Sequence, residues 1–368
     1  MYAMIDGSAA AWLTVIVAAL CMYAGQAEAA KPLHVPEGFA HSFPTDEGYR
    51  GGAMVKLANG NVLLAYGRPR DLRGAIGSVK LYGVESPDGG ITWGPERLLE
   101  HNPDCQTGRP SFLRAADGRI WMFYYGYVGF GGRTDNSQSD LWAVYSTDEG
   151  QTWQGRRRIF EGYTGATNGA IQTSSGNILV PFSYLQDPQR FVSACAVSTD
   201  NGETWQASEA IDLADVGGHG SHAGALEPSV VELRDGRVWM LIRTKLGRFL
   251  QSYSSDGGLT WSSPEDSRFR SPNSPCQVVR LSGGNLAIAW NNTMGTTGDR
   301  QALSVALSRD DGESWTEPVV CATASEVSYP FILEAGPGEL LISSGRLRAE
   351  GLSTDMVVLR VSEQTLLE

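Results

Sequence analysis

Ser146-Thr-Asp148-Glu-Gly150-Gln-Thr152-Trp153 is one of five copies of the pattern S-x-D-x-G-x-[ST]-W in this 368-residue chain. The others are Ser86-Pro-Asp88-Gly-Gly90-Ile-Thr92-Trp93, Ser198-Thr-Asp200-Asn-Gly202-Glu-Thr204-Trp205, Ser254-Ser-Asp256-Gly-Gly258-Leu-Thr260-Trp261 and Ser308-Arg-Asp310-Asp-Gly312-Glu-Ser314-Trp315. Successive copies start 60, 52, 56 and 54 residues apart. A fixed period of this size marks an architecture of repeated supersecondary units. The octapeptide itself suits a tight turn: Asp and Ser side chains bond to nearby backbone, Gly takes a positive φ, and Trp packs across the hairpin. Each copy has one invariant carboxylate, too few oxygen ligands for calcium.

A second repeat interleaves with the first. Asn59-Gly60, Asp117-Gly118, Ser175-Gly176, Asp235-Gly236, Gly283-Gly284 and Pro337-Gly338 each separate two β-rich runs, such as Ile120-Trp-Met-Phe-Tyr124 or Val238-Trp-Met-Leu-Ile242 after the turn. Paired runs around such a turn predict a hairpin. Each of the first five is followed by a second hairpin that turns at the octapeptide. Two hairpins make a four-stranded blade, so the chain is expected to be all-β, a six-bladed β-propeller with five octapeptide hairpins. The sixth unit lacks the octapeptide and ends in Met356-Val-Val-Leu-Arg-Val361. Its missing strand is expected from the N-terminal segment, and residues 30–368 are read as one domain.

The remainder of the chain sets its context. Charged residues make up only 19% and the formal net charge is −12, which disfavours nucleic acid and anionic membranes as bulk partners. Residues 9–22 are apolar and are followed by Ala27-Glu28-Ala29, a small-x-small cleavage pattern. Residues 1–29 are therefore expected to be a signal peptide, with an N-terminal anchor as the alternative, and the protein to be secreted or periplasmic. Cys21 would leave with the signal. Cys105, Cys195, Cys276 and Cys321 are far apart, without a C-x-x-C pair, so neither zinc nor a redox motif is indicated and their pairing stays open.

The repeat also serves as a ruler. In a propeller the first strand of each blade lines the channel, and its start lies on one face. Nine or ten residues before each hairpin glycine stand Arg50, Arg109, Thr167, Glu227, Pro275 and Tyr329. The second strand returns to that face at Arg68, Tyr125, Ser183, Arg243, Asn291 and Gly345, and third strands start there at Arg190 and Arg300. Arginines, a glutamate and a tyrosine thus converge on one rim of an otherwise apolar scaffold. His219 and His222 precede Glu227 on a loop and are read as rim residues rather than metal ligands.

With its five octapeptides and this rim, the chain resembles the sialidase (neuraminidase) superfamily over residues 42–368; the octapeptides correspond to that family's Asp-boxes, or BNR repeats. The resemblance implies that Arg50, Arg243 and Arg300 bind a substrate carboxylate, and that Tyr329 and Glu227 form a nucleophile–base pair. It also implies an aspartate acid/base, matched by Asp71 with Asp46 as the alternative. The family's Arg-Ile-Pro is replaced here by Arg50-Gly-Gly. Arg68, Arg109, Tyr125 and Asn291 are candidates for further substrate contacts.

The residue types suit the chemistry. An arginine cluster supplies charge-assisted, bidentate hydrogen bonds to a carboxylate on the anomeric carbon. That carboxylate would repel an anionic nucleophile, whereas a neutral tyrosine avoids the repulsion. The implied function is a retaining exo-α-sialidase acting on terminal sialic acids of glycans, with no metal or organic cofactor. The alternatives are a propeller hydrolase or lyase for another acidic sugar, and a non-catalytic propeller that binds acidic glycans. The expected partner is a sialylated or other acidic glycan; a monomer is expected, with no nucleic acid and no membrane once the signal is removed.

Overall fold

The computed structural model describes residues 31–45, 52–68, 76–129, 138–187, 190–218, 223–293, 300–347 and 354–368. These form six four-stranded antiparallel sheets, each ordered from the channel outward. Blade one is Ala53–Lys56, Val62–Arg68, Lys80–Ser86 and Arg97–Glu100. Blade two is Gln106–Arg114, Ile120–Val128, Gln138–Ser146 and Gln154–Phe160; blade three is Ile171–Gln172, Ile178–Asp187, Arg190–Ser198 and Gln206–Ala207. Blade four is Leu226–Glu232, Val238–Arg243, Arg248–Ser254 and Glu265–Arg270; blade five is Gln277–Arg280, Leu286–Trp290, Ala302–Ser308 and Val319–Thr323. Blade six is Val327–Gly336, Glu339–Leu347 and Thr354–Ser362, closed by Ala40–Thr45, which pairs with Thr354–Ser362. The expected N-terminal strand thus completes the last blade, and the protein is a six-bladed β-propeller. Among the described residues, the only helical segment is a 3-10 turn at Ala214–Gly217.

The second strands read as unbroken apolar runs because both of their faces are covered by neighbouring blades. Ile120, Trp121, Met122, Phe123 and Tyr124 are all fully buried. Each junction between blades has its own apolar cluster: Leu63 joins Met122, Phe123 joins Val180, and Val197 joins Met240. Continuing round, Leu241 joins Ile288, Val305 joins Ile342, and Leu64 joins Val358.

The Asp-boxes form as expected, with one correction. In each, the Ser hydroxyl accepts from the Gly amide and donates to Asp, which accepts from the amide and hydroxyl of the Thr or Ser four residues on; for Asp148 the last two bonds are 2.9 and 2.6 Å. Gly202 is required twice over, by its φ of 86° and because a Cβ there would lie 2.3 Å from Trp121. Three of the tryptophans, however, reach beyond their own hairpins to the preceding blade. Trp205 of blade three stands edge-on to Trp121 and Phe123 of blade two, and Trp315 of blade five to Phe269 of blade four. Trp93 reaches Ser42 in blade six. In blade three the outermost strand is only Gln206–Ala207, both exposed, so the apolar surface within reach of Trp205 belongs to the preceding blade.

Five polar latches tie the inner hairpin turns of blades one to five each to the next blade. Ala58 N donates to Glu149, Ala116 N to Gln172, Ser174 N to Glu232, Arg234 N to Asp311 and Ser282 N to Glu334, at 2.6–2.8 Å. Cys105, Cys195, Cys276 and Cys321 are separate, buried thiols. Burial pushes Cys105 and Cys321 up to about 12, leaving them little thiolate character.

Candidate active site

Three dipeptides shape the site: Arg109-Pro110, Glu227-Pro228 and Tyr329-Pro330. Proline has no amide for the ladder, so within a sheet it sits at edges or bulges. Here the innermost strands of blades two, four and six each break register, between Gly108 and Ser111, Leu226 and Ser229, and Ser328 and Phe331. At each break the residue before proline takes a left-handed φ: 47° for Arg109, 36° for Glu227 and 60° for Tyr329. Such conformations cost about 1–3 kcal/mol each and persist only where the surroundings enforce them.

Those surroundings are visible at Glu227. Its amide donates to Ser183 Oγ at 3.1 Å, and its carbonyl accepts from Asn168 Nδ2 at 2.7 Å. Gly165 keeps the space open, since a Cβ there would lie 2.5 Å from Ser183 Oγ. On the Tyr329 side, Ser344 Oγ donates to the carbonyl of Ser328 at 2.8 Å.

The side chains then meet in a buried cluster. Tyr329 Oη donates to Glu227 Oε1 at 3.1 Å. Arg243, ending the second strand of blade four, donates through one terminal nitrogen to Glu227 Oε2 and to Tyr329 Oη, the latter at 3.3 Å. Its Nε donates to Asn273 Oδ1 at 2.8 Å, and the Asn273 carbonyl accepts from Arg300 at 2.8 Å. Arg300 also donates to Glu326 at 3.4 Å. The guanidinium carbons of Arg109 and Arg300 lie 4.4 and 5.5 Å from the Tyr329 ring centroid. Tyr329, Glu227 and Arg243 are 7%, 8% and 4% exposed, so these charges act with little solvent screening.

Burial alone would keep both acids protonated. For Glu227, desolvation raises the pKa, but Arg243, Arg109 and Arg300 outweigh it and hold the carboxyl below its ordinary value. For Tyr329, desolvation and the Glu227 charge push upward, yet Arg109, Arg243 and Arg300 bring the phenol below its ordinary value. For Arg243, desolvation pulls downward, but Glu227 and Tyr329 outweigh it and raise the guanidinium above its ordinary value. The result is an ionised base, hydrogen-bonded to a phenol whose anion is favoured by its surroundings.

The rim prediction divides into groups. The structure brings Glu227, Arg243, Arg300, Tyr329 and Arg109 together, with Tyr125 accepting from Arg109 Nε at 3.1 Å. Ser183 and Thr167 are buried, Ser183 supporting Glu227. Asn291 is buried and its amide donates to the carbonyls of Ala302 and Val327, joining blades five and six. Arg68 pairs with Glu96 at 2.9 Å, and Arg190 with Asp212 at 3.0 Å. Arg50, Asp46, Asp71, His219 and His222 lie outside the described residues. Asn273 went unrecognised in the sequence. It sits in Ser271-Pro-Asn-Ser-Pro275, between blades four and five, where neither repeat supplies a register. The X-Pro dipeptide shared by three rim positions is the signal that marks the bulges.

Residues 77–342 match the BNR repeat-like domain. The chain belongs to that family. This BNR propeller is 26% identical over 326 residues to a sialidase of Micromonospora viridifaciens, covering 77% of this chain and 48% of that protein. The chain therefore spans about half the length of that curated relative. Among solved structures, it matches a protein of unknown function from Dyadobacter fermentans DSM 18053 with a TM-score of 0.72 at 18% identity, covering 90% of this chain and 99% of that one. It matches the Hadza microbial sialidase Hz136 with a TM-score of 0.69 at 18% identity, covering 86% and 66% respectively. The protein is a six-bladed BNR propeller.

Proposed function

We propose that this protein is a retaining exo-α-sialidase that removes terminal sialic acids from glycoconjugates. The observation that carries the reading is the hydrogen bond from Tyr329 to Glu227, with Arg243 and Arg300 beside the phenol. Tyrosine in place of a second carboxylate suits a substrate that itself carries a carboxylate at the reacting carbon. Arg243 and Arg300, joined by Asn273, would grip that carboxylate, with Arg50 as the third arginine.

In the first step Tyr329 Oη bonds to the anomeric carbon and passes its proton to Glu227. The glycosidic C–O bond breaks, and the departing oxygen takes a proton from Asp71. In the second step water attacks the same carbon from the vacated face and gives a proton to Asp71. The C–O bond to Tyr329 breaks, and the phenol recovers its proton from Glu227. Two displacements give net retention. Residues 1–29 would direct the protein out of the cytoplasm, where such glycans are met, and we assign it as a monomer.

The test is turnover of an aryl α-sialoside with product configuration followed by NMR. Wild type is expected to release the α-anomer first. Tyr329→Phe is expected to lower kcat/KM by about 10³-fold or more, a loss of roughly 4 kcal/mol of transition-state stabilisation. Asp71→Ala is expected to slow substrates with poor leaving groups most. No turnover by folded wild type, or turnover only on uronate-containing polymers, would overturn the assignment.

A further inference from the structure

Seven non-glycine residues among those described have positive φ: Arg109, Glu149, Asn201, Ala214, Glu227, Asp311 and Tyr329. Glu149, Asn201 and Asp311 occupy the same turn position in three Asp-boxes, and Ala214 opens the 3-10 turn. The three that remain are the residues before proline at the bulges of blades two, four and six. Two of them are the proposed nucleophile and its base. The third, Arg109, is built into the site by the same backbone device, although the resemblance assigns it no role. Backbone strain of this kind gathers at functional positions.

We propose that Arg109 is the positioning residue of the nucleophile, laid over the Tyr329 ring to hold the phenol in place and to favour negative charge on it during attack. The inference rests on reading Tyr329 as the nucleophile. Three observations support it. The Arg109 guanidinium carbon lies 4.4 Å from the ring centroid, nearer than that of Arg300 at 5.5 Å. Its Nε is anchored on Tyr125 Oη at 3.1 Å, which fixes the fork from the side of the second strand. Tyr125 is itself buried, at 8% exposed, which shields that anchor from solvent.

A cation over an aromatic face is attracted by the ring quadrupole. The attraction grows as the oxygen ionises and charge spreads into the ring, so the contact is stronger in the transition state than before it. The charged groups around the phenol are Glu227 from the first strand of blade four, Arg243 from its second strand, Arg109 from blade two and Arg300 leading into the third strand of blade five, with Glu326 accepting from Arg300. In the proposed complex Arg243 and Arg300 are partly neutralised by the substrate carboxylate. Arg109, engaged with the ring and Tyr125, continues to act on the phenol. In the free protein burial and Glu227 push Tyr329 upward, and Arg109 is the foremost of the three arginines that bring it down.

The test is an ultraviolet phenolate titration of the full chain at 295 nm. Subtracting Tyr329→Phe from wild type isolates Tyr329 among the 13 tyrosines. In an Arg109→Gln background the same subtraction is expected to give an ionisation about one pH unit higher, and Arg109→Lys to restore part of the shift. With 4-methylumbelliferyl α-sialoside, Arg109→Gln is expected to lose about 30-fold in kcat/KM, the worth of a desolvated cation–π contact. The pH profile should move in step with the titration. An Arg109→Gln protein of native melting temperature, with both the titration and the pH profile unmoved, would overturn the inference. If wild type does not turn over the sialoside, the proposed function fails, while the titration still decides whether Arg109 governs the phenol.

Discussion

Asn273 links two arginines that come from different blades, accepting from Arg243 through its side chain and from Arg300 through its backbone. Only the first bond depends on residue type. Asn273→Ala is expected to free the Arg243 fork and raise KM for an aryl α-sialoside about 10-fold, with kcat changing less, because a hydrogen bond to a charged group contributes about 1.5–3 kcal/mol. Steady-state kinetics check this; an unchanged KM would show that Arg243 is held by Glu227 and Tyr329 without Asn273. At this scale the sequence was informative wherever the repeat acted as a ruler. Glu227 and Tyr329 open first strands and Arg243 ends a second strand, so counting from the hairpin glycines reached them, and counting back from the fifth octapeptide reached Arg300. Asn273 lies in an inter-blade loop with no equivalent elsewhere, and its contacts span blades, so no local pattern reports it.

Strands and turns follow closely from local chemistry. The hairpin glycines need their conformation rather than their small size: Gly60 has a φ of 88°, and a Cβ there would meet nothing within 4 Å. The direction of the Asp-box tryptophans was not legible in the same way, because an octapeptide does not disclose which sheet face stands opposite it. The latches between blades are also long-range. Glu232 accepts from both the amide and the hydroxyl of Ser174, at 2.8 and 2.7 Å. Glu232→Ala is expected to lower stability by about 1–2 kcal/mol while leaving KM unaltered, since the latch lies at the turn end of the innermost strand, away from the rim. Denaturant unfolding of the variant tests this, and a loss of activity without a loss of stability would contradict it.

Across the whole molecule, the Asp-boxes act together. Asp88, Asp148, Asp200, Asp256 and Asp310 are each lowered from 3.8 to about 2, chiefly through hydrogen bonds from the Thr or Ser four residues on, although for Asp256 a larger, opposing burial contribution must be overcome. A carboxylate depressed in the folded state contributes stability above its unfolded pKa and loses it as pH falls through the folded one. Stability is therefore expected to decline with the five boxes in concert between about pH 4 and 2, as urea midpoints across that range would reveal. A paired Asp200→Asn, Asp310→Asn variant should show a shallower decline; an identical slope would contradict the assignment. The same wheel gathers Arg109, Arg243 and Arg300 around one phenol in a chain of net charge −12, so the local field at the rim opposes that of the protein as a whole.

The proposal that Tyr329 forms a covalent bond to its substrate can be tested by trapping. The protein is incubated with a 2,3-difluoro sialic acid, whose second fluorine slows release of the glycosyl group, and is then digested and mapped by mass spectrometry. The account predicts one glycosyl adduct, on the peptide containing Tyr329, which disappears in Tyr329→Phe. An adduct on another residue, or no adduct while the untreated protein cleaves an aryl α-sialoside, would contradict it.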